Sequence, residues 1–180
     1  YIGDEIVAFF GAPVELKDQE YLACLTCCQM NKKLEKLRQK WKSEGDKWPE
    51  VVHNMRHRIG VNCGSLVTGN MGSDMRMNYT MMGDTVNLTA RLESGAKQYG
   101  IETQVGEKIY NVTKDRMIFR MLDYVIVKGR KGAERTYELI SEKGKEPEIY
   151  NKLLPLWDKA IALYTKQKWD EAIKAFNKCD

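Results

Sequence analysis

The chain has 180 residues, a net charge of +4 and an apolar fraction of 43%, which suits one globular domain or one domain with an appendage. Acidic and basic residues are interspersed, which argues against a nucleic-acid-binding protein. We find no apolar stretch long enough to span a membrane and no secretory leader at Tyr1. We therefore expect a cytoplasmic chain, or a soluble piece of a larger or membrane-attached protein.

The first predicted element is a buried strand over residues 6–10, which is apolar on both faces and follows a turn at Gly3 and Asp4. Such a strand needs neighbours on both sides. A carboxylate at the mouth of a strand can hold a hard cation, although a turn Asp more often bonds its own backbone. Asp4 alone is therefore a weak metal candidate.

A long helix is predicted over residues 18–42, because apolar side chains recur at spacings of four and three. Its expected core stripe is Ala23, Cys27, Met30, Leu34, Leu37 and Trp41. Cys24, Cys27 and Cys28 crowd on the same helix. We expect reduced thiols, since a metal site would need a fourth ligand and His53 and His57 are the only histidines.

Two short strands are predicted next. Residues 57–64 alternate in polarity, and Gly64 with Ser65 can turn the chain into a second strand over residues 66–68. This pattern predicts a hairpin. Residues 69–77 are rich in glycine and methionine and are interpreted as a polar loop.

Residues 78–100, NYTMMGDTVNLTARLESGAKQYG, predict a helix that begins near Thr85, with Asp84 as its N-cap and Gly83 allowing a tight approach. One face carries Leu88, Leu92, Ala96 and Tyr99, and a separate polar face carries Asn87, Arg91, Ser94 and Gln98. An Arg near the positive end of the helix dipole is disfavoured unless an anion is close. The pattern therefore hints at a bound phosphate, against the commoner interpretation of a solvated Arg.

The remaining pattern predicts a strand at 103–105, a helix at 107–112, strands at 119–127 and 135–140, and helices at 154–164 and 169–178. The tip between the late strands carries Lys128, Arg130 and Lys131, either as an exposed basic turn or as an anion site. We divide the chain into a domain at 1–140, a charged linker at 141–148 and a helical segment at 149–180.

Four motifs together resemble the catalytic domain of the class III nucleotidyl cyclases. They are IGDEIVAFFGAP, RIGVNCGSLVTGNMGS, NYTMMGDTVNLTARLE and VKGRKGAERTYEL, and they extend from residue 1 to about residue 139. The resemblance implies an α+β fold, a ferredoxin-like (βαββαβ-derived) sandwich with an antiparallel sheet, here followed by a C-terminal helical hairpin. It also implies that ATP is converted to cyclic AMP and pyrophosphate.

The resemblance also implies roles for single residues. Asn87 would orient the ribose, and Arg91 would stabilise charge on the α-phosphate during the reaction. Lys128 would bind the β- and γ-phosphates, while Thr80 would read the base and favours ATP over GTP. Asp84 and Gly3 complete the implied substrate-binding set.

Two Mg²⁺ or Mn²⁺ ions are implied as cofactors, with Asp4 as the second of two metal carboxylates. The first carboxylate, its strand and the other base-reading position would lie ahead of Tyr1, so we expect that residues preceding this chain supply them. The alternative is a truncated protein that cannot bind both ions. A head-to-tail homodimer with shared active sites is implied, in which Asp4 and Arg91 act in trans.

The tail resembles part of a tetratricopeptide repeat in its pattern of Ala160, Tyr164, Trp169, Ala172 and Phe176, which would suit a protein partner. A single repeat cannot bury its own face, so a helical hairpin that docks on the first domain is the alternative. For function, the alternatives are a guanylate cyclase and an inactive nucleotide-sensing or dimerisation module. An RNA-binding sandwich is disfavoured because its strands lack stacking aromatics.

Overall fold

A four-stranded sheet forms the centre of this computed structural model, which describes residues 4–73, 75–126 and 133–179. Gly3, Lys128, Arg130 and Lys131 therefore lie outside the described residues. The helices are α1 (Gln19–Ser43), α2 (Glu50–His53), α3 (Asp84–Tyr99), α4 (Glu107–Thr113), α5 (Glu148–Thr165) and α6 (Trp169–Phe176). The strands are β1 (Ile59–Val61), β2 (Val67–Ser73), β3 (Arg76–Met82), β4 (Thr103–Gly106), β5 (Met117–Ile126) and β6 (Ala133–Glu142).

The sheet has the order β1-β4-β6-β5, and its pairs are antiparallel except for the parallel pair β1 and β4. One face packs against α1 and α4 in a core that includes Cys24, Val105, Ile109 and Tyr137. Because successive side chains of a strand point to opposite faces, Gly60, Gln104, Leu122 and Glu138 face the other side. That side is covered by α3 over β1 and β4 and by α5 over β5.

This architecture confirms the predicted α+β class and the C-terminal helical hairpin. The predicted positions of β4, α4, β5 and β6 are also confirmed. α5 docks on β5, as the alternative for the tail expected, while the likeness to a tetratricopeptide repeat and the domain bounds stay predictions. No helix within the described residues has the length and apolar character needed to cross a membrane.

The predicted buried strand at residues 6–10 is wrong. These residues form no strand, and Ile6 is 62% exposed. An apolar run forms a buried strand only when strands flank it, and no strand in the described part of the chain pairs with this one. The segment touches β3 through the rings of Phe9 and Tyr79, whose centres lie 6.0 Å apart.

The predicted pairing of residues 57–64 with residues 66–68 is also wrong. β1 pairs with β4, and β2 instead forms a two-stranded ribbon with β3 that includes most of the segment predicted as a loop. The ribbon leaves Val67, Met77, Tyr79 and Met82 exposed. Since neither of its faces is fully buried, its strands lack the polar and apolar alternation by which strands are recognised.

The inward face of α1 differs in part from the prediction. Cys24, Cys27, Cys28 and Leu34 are buried, whereas Met30 was wrongly included and is 38% exposed. Burial raises the pKa of the Cys24 and Cys27 thiols to about 12, so these side chains behave as small apolar groups. The described residues contain no cluster of three or more His, Cys, Asp or Glu that could hold a metal ion.

Candidate functional site

The helix α3 begins at Asp84, and its cap is Gly83, with a φ of 144° that suits glycine. The carbonyl of Gly83 accepts the backbone N–H groups of Val86 and Asn87 at 3.1 and 3.2 Å. The prediction of Asp84 as N-cap is therefore wrong, because Asp84 is already the first helical residue and the cap makes no side-chain hydrogen bond. The helix ends at Gly100, whose φ of 65° is left-handed.

Three contacts fix α3 on the sheet. The Thr85 hydroxyl donates to the carbonyl of Ser65 at 2.9 Å, and the Arg58 guanidinium pairs with Glu93 at 2.9 Å. At Gly60 the backbones meet so closely that a Cβ would lie 2.2 Å from the carbonyl oxygen of Thr89. The N-terminal half of α3 is thus held at a fixed distance from β1.

The two faces of α3 are those that the sequence predicts. Leu88, Leu92 and Ala96 are buried and Tyr99 is half-buried, while Asn87, Arg91, Ser94 and Gln98 are exposed. Arg91, Ser94 and Gln98 line a shallow depression of about 360 Å³, together with Ala90 and Gly95. The Arg91 guanidinium and the Asn87 side-chain amide lie one helical turn apart. Together they can bind an anionic oxygen and a neighbouring hydroxyl of one ligand.

The other predicted site residues lie on separate elements. Thr80 is half-buried on β3 opposite Gly69, and Asp4 is exposed at a turn. No hydrogen bond or ion pair between described residues joins Asp4 or Thr80 to Asn87 or Arg91. Asp4, Thr80 and Asn87 are not among the residues that line the depression beside Arg91.

The chemistry of Asp4 fits a divalent hard cation. Mg²⁺ takes oxygen ligands and is commonly held by one or two carboxylates, with water and substrate phosphates completing its shell. An exposed carboxylate such as Asp4 can supply one of these ligands. Such a site therefore does not require a cluster of three or more protein ligands around the ion.

The role of two residues in seating α3 was not predicted from the sequence, although Arg58 had been noted with Arg56 and His57 as a possible anion site. Arg58 lies directly before β1, and Gly60 lies within it. A glycine inside a strand pattern indicates a bulge or a close backbone approach, so Gly60 carried a usable signal. Arg58 carried none, because its partner Glu93 lies 35 positions further along the chain.

Comparison with known proteins gives one matching family. The model described as adenylate and guanylate cyclase catalytic domain matches residues 1–141. The terminal-differentiation-specific adenylate cyclase of Dictyostelium discoideum is 28% identical over 99% of this chain and 8% of its own length. Adenylate cyclase 1 of Rhizobium meliloti is 33% identical over 77% of this chain and 20% of its own length. The chain thus spans a fifth or less of these relatives.

Solved structures agree with the family match. The adenylyl cyclase CyaB from P. aeruginosa superimposes with a TM-score of 0.64 and 28% identity, over 80% of this chain and 74% of that one. The guanylyl cyclase Cya2 superimposes with a TM-score of 0.58 and 25% identity, over 76% of this chain and 65% of that one. The solved structures that resemble this chain thus include both an adenylyl cyclase and a guanylyl cyclase.

Proposed function

Because the chain belongs to the family of adenylate and guanylate cyclase catalytic domains, we propose that it converts ATP to 3′,5′-cyclic AMP and pyrophosphate. The observation that carries this function is the exposed polar face of α3, where Asn87 and Arg91 stand one turn apart on a firmly seated helix. ATP is favoured over GTP by Thr80 and by the two relatives named above as adenylate cyclases.

In the proposed reaction the ribose 3′ hydroxyl gives up its proton to solvent water, and its oxygen attacks the α-phosphorus. A new P–O bond forms, the bond from the α-phosphorus to the bridging oxygen breaks, and pyrophosphate leaves with that electron pair. Arg91 stabilises the negative charge that grows on the α-phosphate oxygens, and Asn87 orients the ribose by hydrogen bonding. Lys128 would hold the terminal phosphates, with Gly3 and Asp84 beside the substrate.

We assign Asp4 as one ligand of two Mg²⁺ or Mn²⁺ ions. When bound, such ions lower the pKa of the attacking hydroxyl and neutralise charge on the triphosphate. The role of the chain itself is to offer a carboxylate that water reaches freely, so the ion can enter together with the nucleotide.

The depression beside Arg91 is lined by α3 residues and not by Asp4, which supports a site shared between two copies. We propose a head-to-tail homodimer in which Asp4 of one copy faces Asn87 and Arg91 of the other. A two-fold axis would then create two equivalent sites. The free thiols of Cys24, Cys27 and Cys28 suit a reducing compartment, so we place this activity in the cytoplasm.

The test is nucleotide turnover by the chain, expressed with any segment that its gene encodes ahead of Tyr1. Purified protein is incubated with Mn²⁺ or Mg²⁺ and either ATP or GTP, and the products are identified by mass spectrometry. Cyclic AMP released faster than cyclic GMP is the expected result. Cyclic GMP as the main product would overturn the substrate, and neither product at high enzyme concentration would overturn the activity.

A further inference from the structure

The helix α5 lies on the same side of the sheet as α3, and it makes a directed contact with β5. The indole N–H of Trp157 donates to the backbone carbonyl of Met121 at 2.6 Å. The indole ring also lies over the guanidinium of Arg120, with the Cζ atom 4.5 Å from the ring centre. A hydrogen bond and a cation–π contact together hold the ring in one orientation.

The Met121 carbonyl, which accepts this hydrogen bond, lies where the regular pairing of β5 with β6 is interrupted. Met121 pairs with Tyr137 and Asp123 pairs with Thr136, so Leu122 is an extra residue in β5. Such a bulge leaves backbone groups without ladder partners and re-aims the side chains next to it. Trp157 supplies a side-chain donor to the backbone at this point.

The bulge carries the two residues that hold the C-terminal half of α3. Leu122 is buried in one cluster with Ala96 of α3 and with Ile101. The Tyr99 hydroxyl, in the last turn of α3, donates to the Asp123 carboxylate at 3.3 Å. Burial, with Asp123 and then Tyr164 of α5 as further causes, raises the pKa of the Tyr99 phenol.

We infer that Trp157 is a positioning residue for the cyclase reaction, contributed by the tail, which acts through the β5 bulge to fix the end of α3. The inference rests on the proposed function, since it is α3 that presents Asn87 and Arg91. Gly60 and Thr85 contact the first half of the helix, while β4 and the β5 bulge contact the second half.

The test compares Trp157→Phe with Trp169→Phe in the chain expressed with any segment that its gene encodes ahead of Tyr1. Trp157→Phe keeps an aromatic ring over Arg120 and removes the N–H. Trp169 is a tail indole that is 53% exposed, so its substitution is the matched control. The readouts are amide hydrogen exchange of residues 93–99 and 119–125 and, separately, kcat and KM for ATP.

We expect Trp157→Phe to speed exchange in both segments about fivefold, the effect of losing one hydrogen bond, and to lower kcat severalfold with KM nearly unchanged. Trp169→Phe should change neither. Equal exchange of residues 93–99 in the two variants would overturn the inference. A rise in KM with unchanged kcat would also overturn it, because it would indicate altered nucleotide binding instead of altered positioning.

A second variant covers the case in which Trp157→Phe fails to fold by circular dichroism. Tyr99→Phe cuts the same connection from the α3 side, and it should speed exchange of residues 93–99 while sparing α5. If it leaves residues 93–99 unaffected, the inference is overturned. If the unmodified chain makes no cyclic nucleotide, the proposed function fails, yet the exchange results still decide whether α5 fixes α3.

Discussion

The Nε atom of Arg120 lies 2.8 Å from a carboxylate oxygen of Glu138, and the two side chains are 17% and 12% exposed. Neither atom makes a well-directed hydrogen bond to any described residue, so the contact is an ion pair alone. Removing one partner would leave a buried charge uncompensated. We therefore expect Arg120→Met to lower the free energy of unfolding by about 3–5 kcal/mol, measured by urea denaturation.

The double variant Arg120→Met with Glu138→Leu is the control for this pair. It removes both charges, and replacement of a buried ion pair by apolar groups is often neutral. We expect it to recover most of the lost stability. A double variant less stable than Arg120→Met would show that the pair is not the origin of the loss.

The same carboxylate predicts a pH dependence. Burial raises the pKa of Glu138 above its ordinary value of 4.5, although Arg120 acts in the opposite direction. The folded chain therefore holds this proton more tightly than the unfolded chain. The resulting stability is fully present below the unfolded pKa, which is near 4.5, and is lost as the pH rises through the folded pKa.

We expect the stability of the unmodified chain, measured relative to Glu138→Gln, to increase as the pH is lowered through this window. Urea denaturation at a series of pH values measures the difference. A relative stability that decreases on acidification would mean that Arg120 dominates over burial and that the pKa is lowered.

Gly60 sets the distance between α3 and β1. A Cβ at this position would lie 2.2 Å from the Thr89 carbonyl oxygen and 2.6 Å from the Glu93 backbone nitrogen. Because backbone atoms cannot move aside cheaply, we expect Gly60→Ala to cost about 1–3 kcal/mol or more in thermal or urea unfolding. Gly69→Ala is the matched control, since no atom of a described residue other than its chain neighbours lies within 4 Å of its Cβ position. Equal effects of the two changes would contradict the close packing of α3.

Arg91 is the residue on which turnover should depend most. Its guanidinium is exposed on the polar face of α3, so its loss should leave the fold intact. We expect Arg91→Ala to lower kcat by about 10²–10³-fold, the usual effect of removing one group that stabilises transition-state charge. Dimerisation and most nucleotide binding should be retained, as measured by ultracentrifugation and calorimetry.

Lys97→Ala is the control, because Lys97 is an exposed cation of the same helix outside the depression that Arg91 lines. It should retain turnover close to that of the unmodified chain. If Arg91→Ala kept its kcat, the role assigned to Arg91 would be wrong, whatever the activity of the chain.

The α1 thiols should resist alkylation. With a pKa of about 12 for Cys24 and Cys27, only about one thiol in 10⁴ is ionised at pH 8, and the thiolate is the reactive form. We expect iodoacetamide to modify half-buried Cys63 and Cys179 in the native chain and to reach Cys24 and Cys27 only after unfolding, as followed by mass spectrometry. Rapid native labelling of Cys24 would contradict its burial.

The helices were predictable where burial imposes a period on the sequence. Leu88, Leu92 and Ala96 recur at helical spacing because one face of α3 packs on the sheet, and Gly100 marks the end of the helix. The exposed ribbon of β2 and β3 imposes no such period, and its glycine and methionine content therefore resembled a loop.

Contacts between residues that are far apart in the chain could not be predicted from the sequence either. The alternation in residues 59–63 predicted a strand, but nothing local indicates that Ile59 pairs with Thr103 and not with the strand that follows in the chain. For the site, the polar face with Asn87 and Arg91 was predictable from spacing alone. The contacts that fix α3 join Glu93 to Arg58 and Met121 to Trp157, and the two residues of each pair lie about 35 positions apart in the chain.

The docking of α5 extends the folded unit beyond the residues that the family model matches. The family match ends at residue 141, yet α5 begins at Glu148 and covers the ion pair and the bulge on β5. Cutting the chain at residue 141 would place Arg120, Glu138 and the Met121 carbonyl in water. We therefore expect residues 1–165 to unfold as one cooperative unit, with a shorter piece exchanging its sheet amides faster than the intact chain.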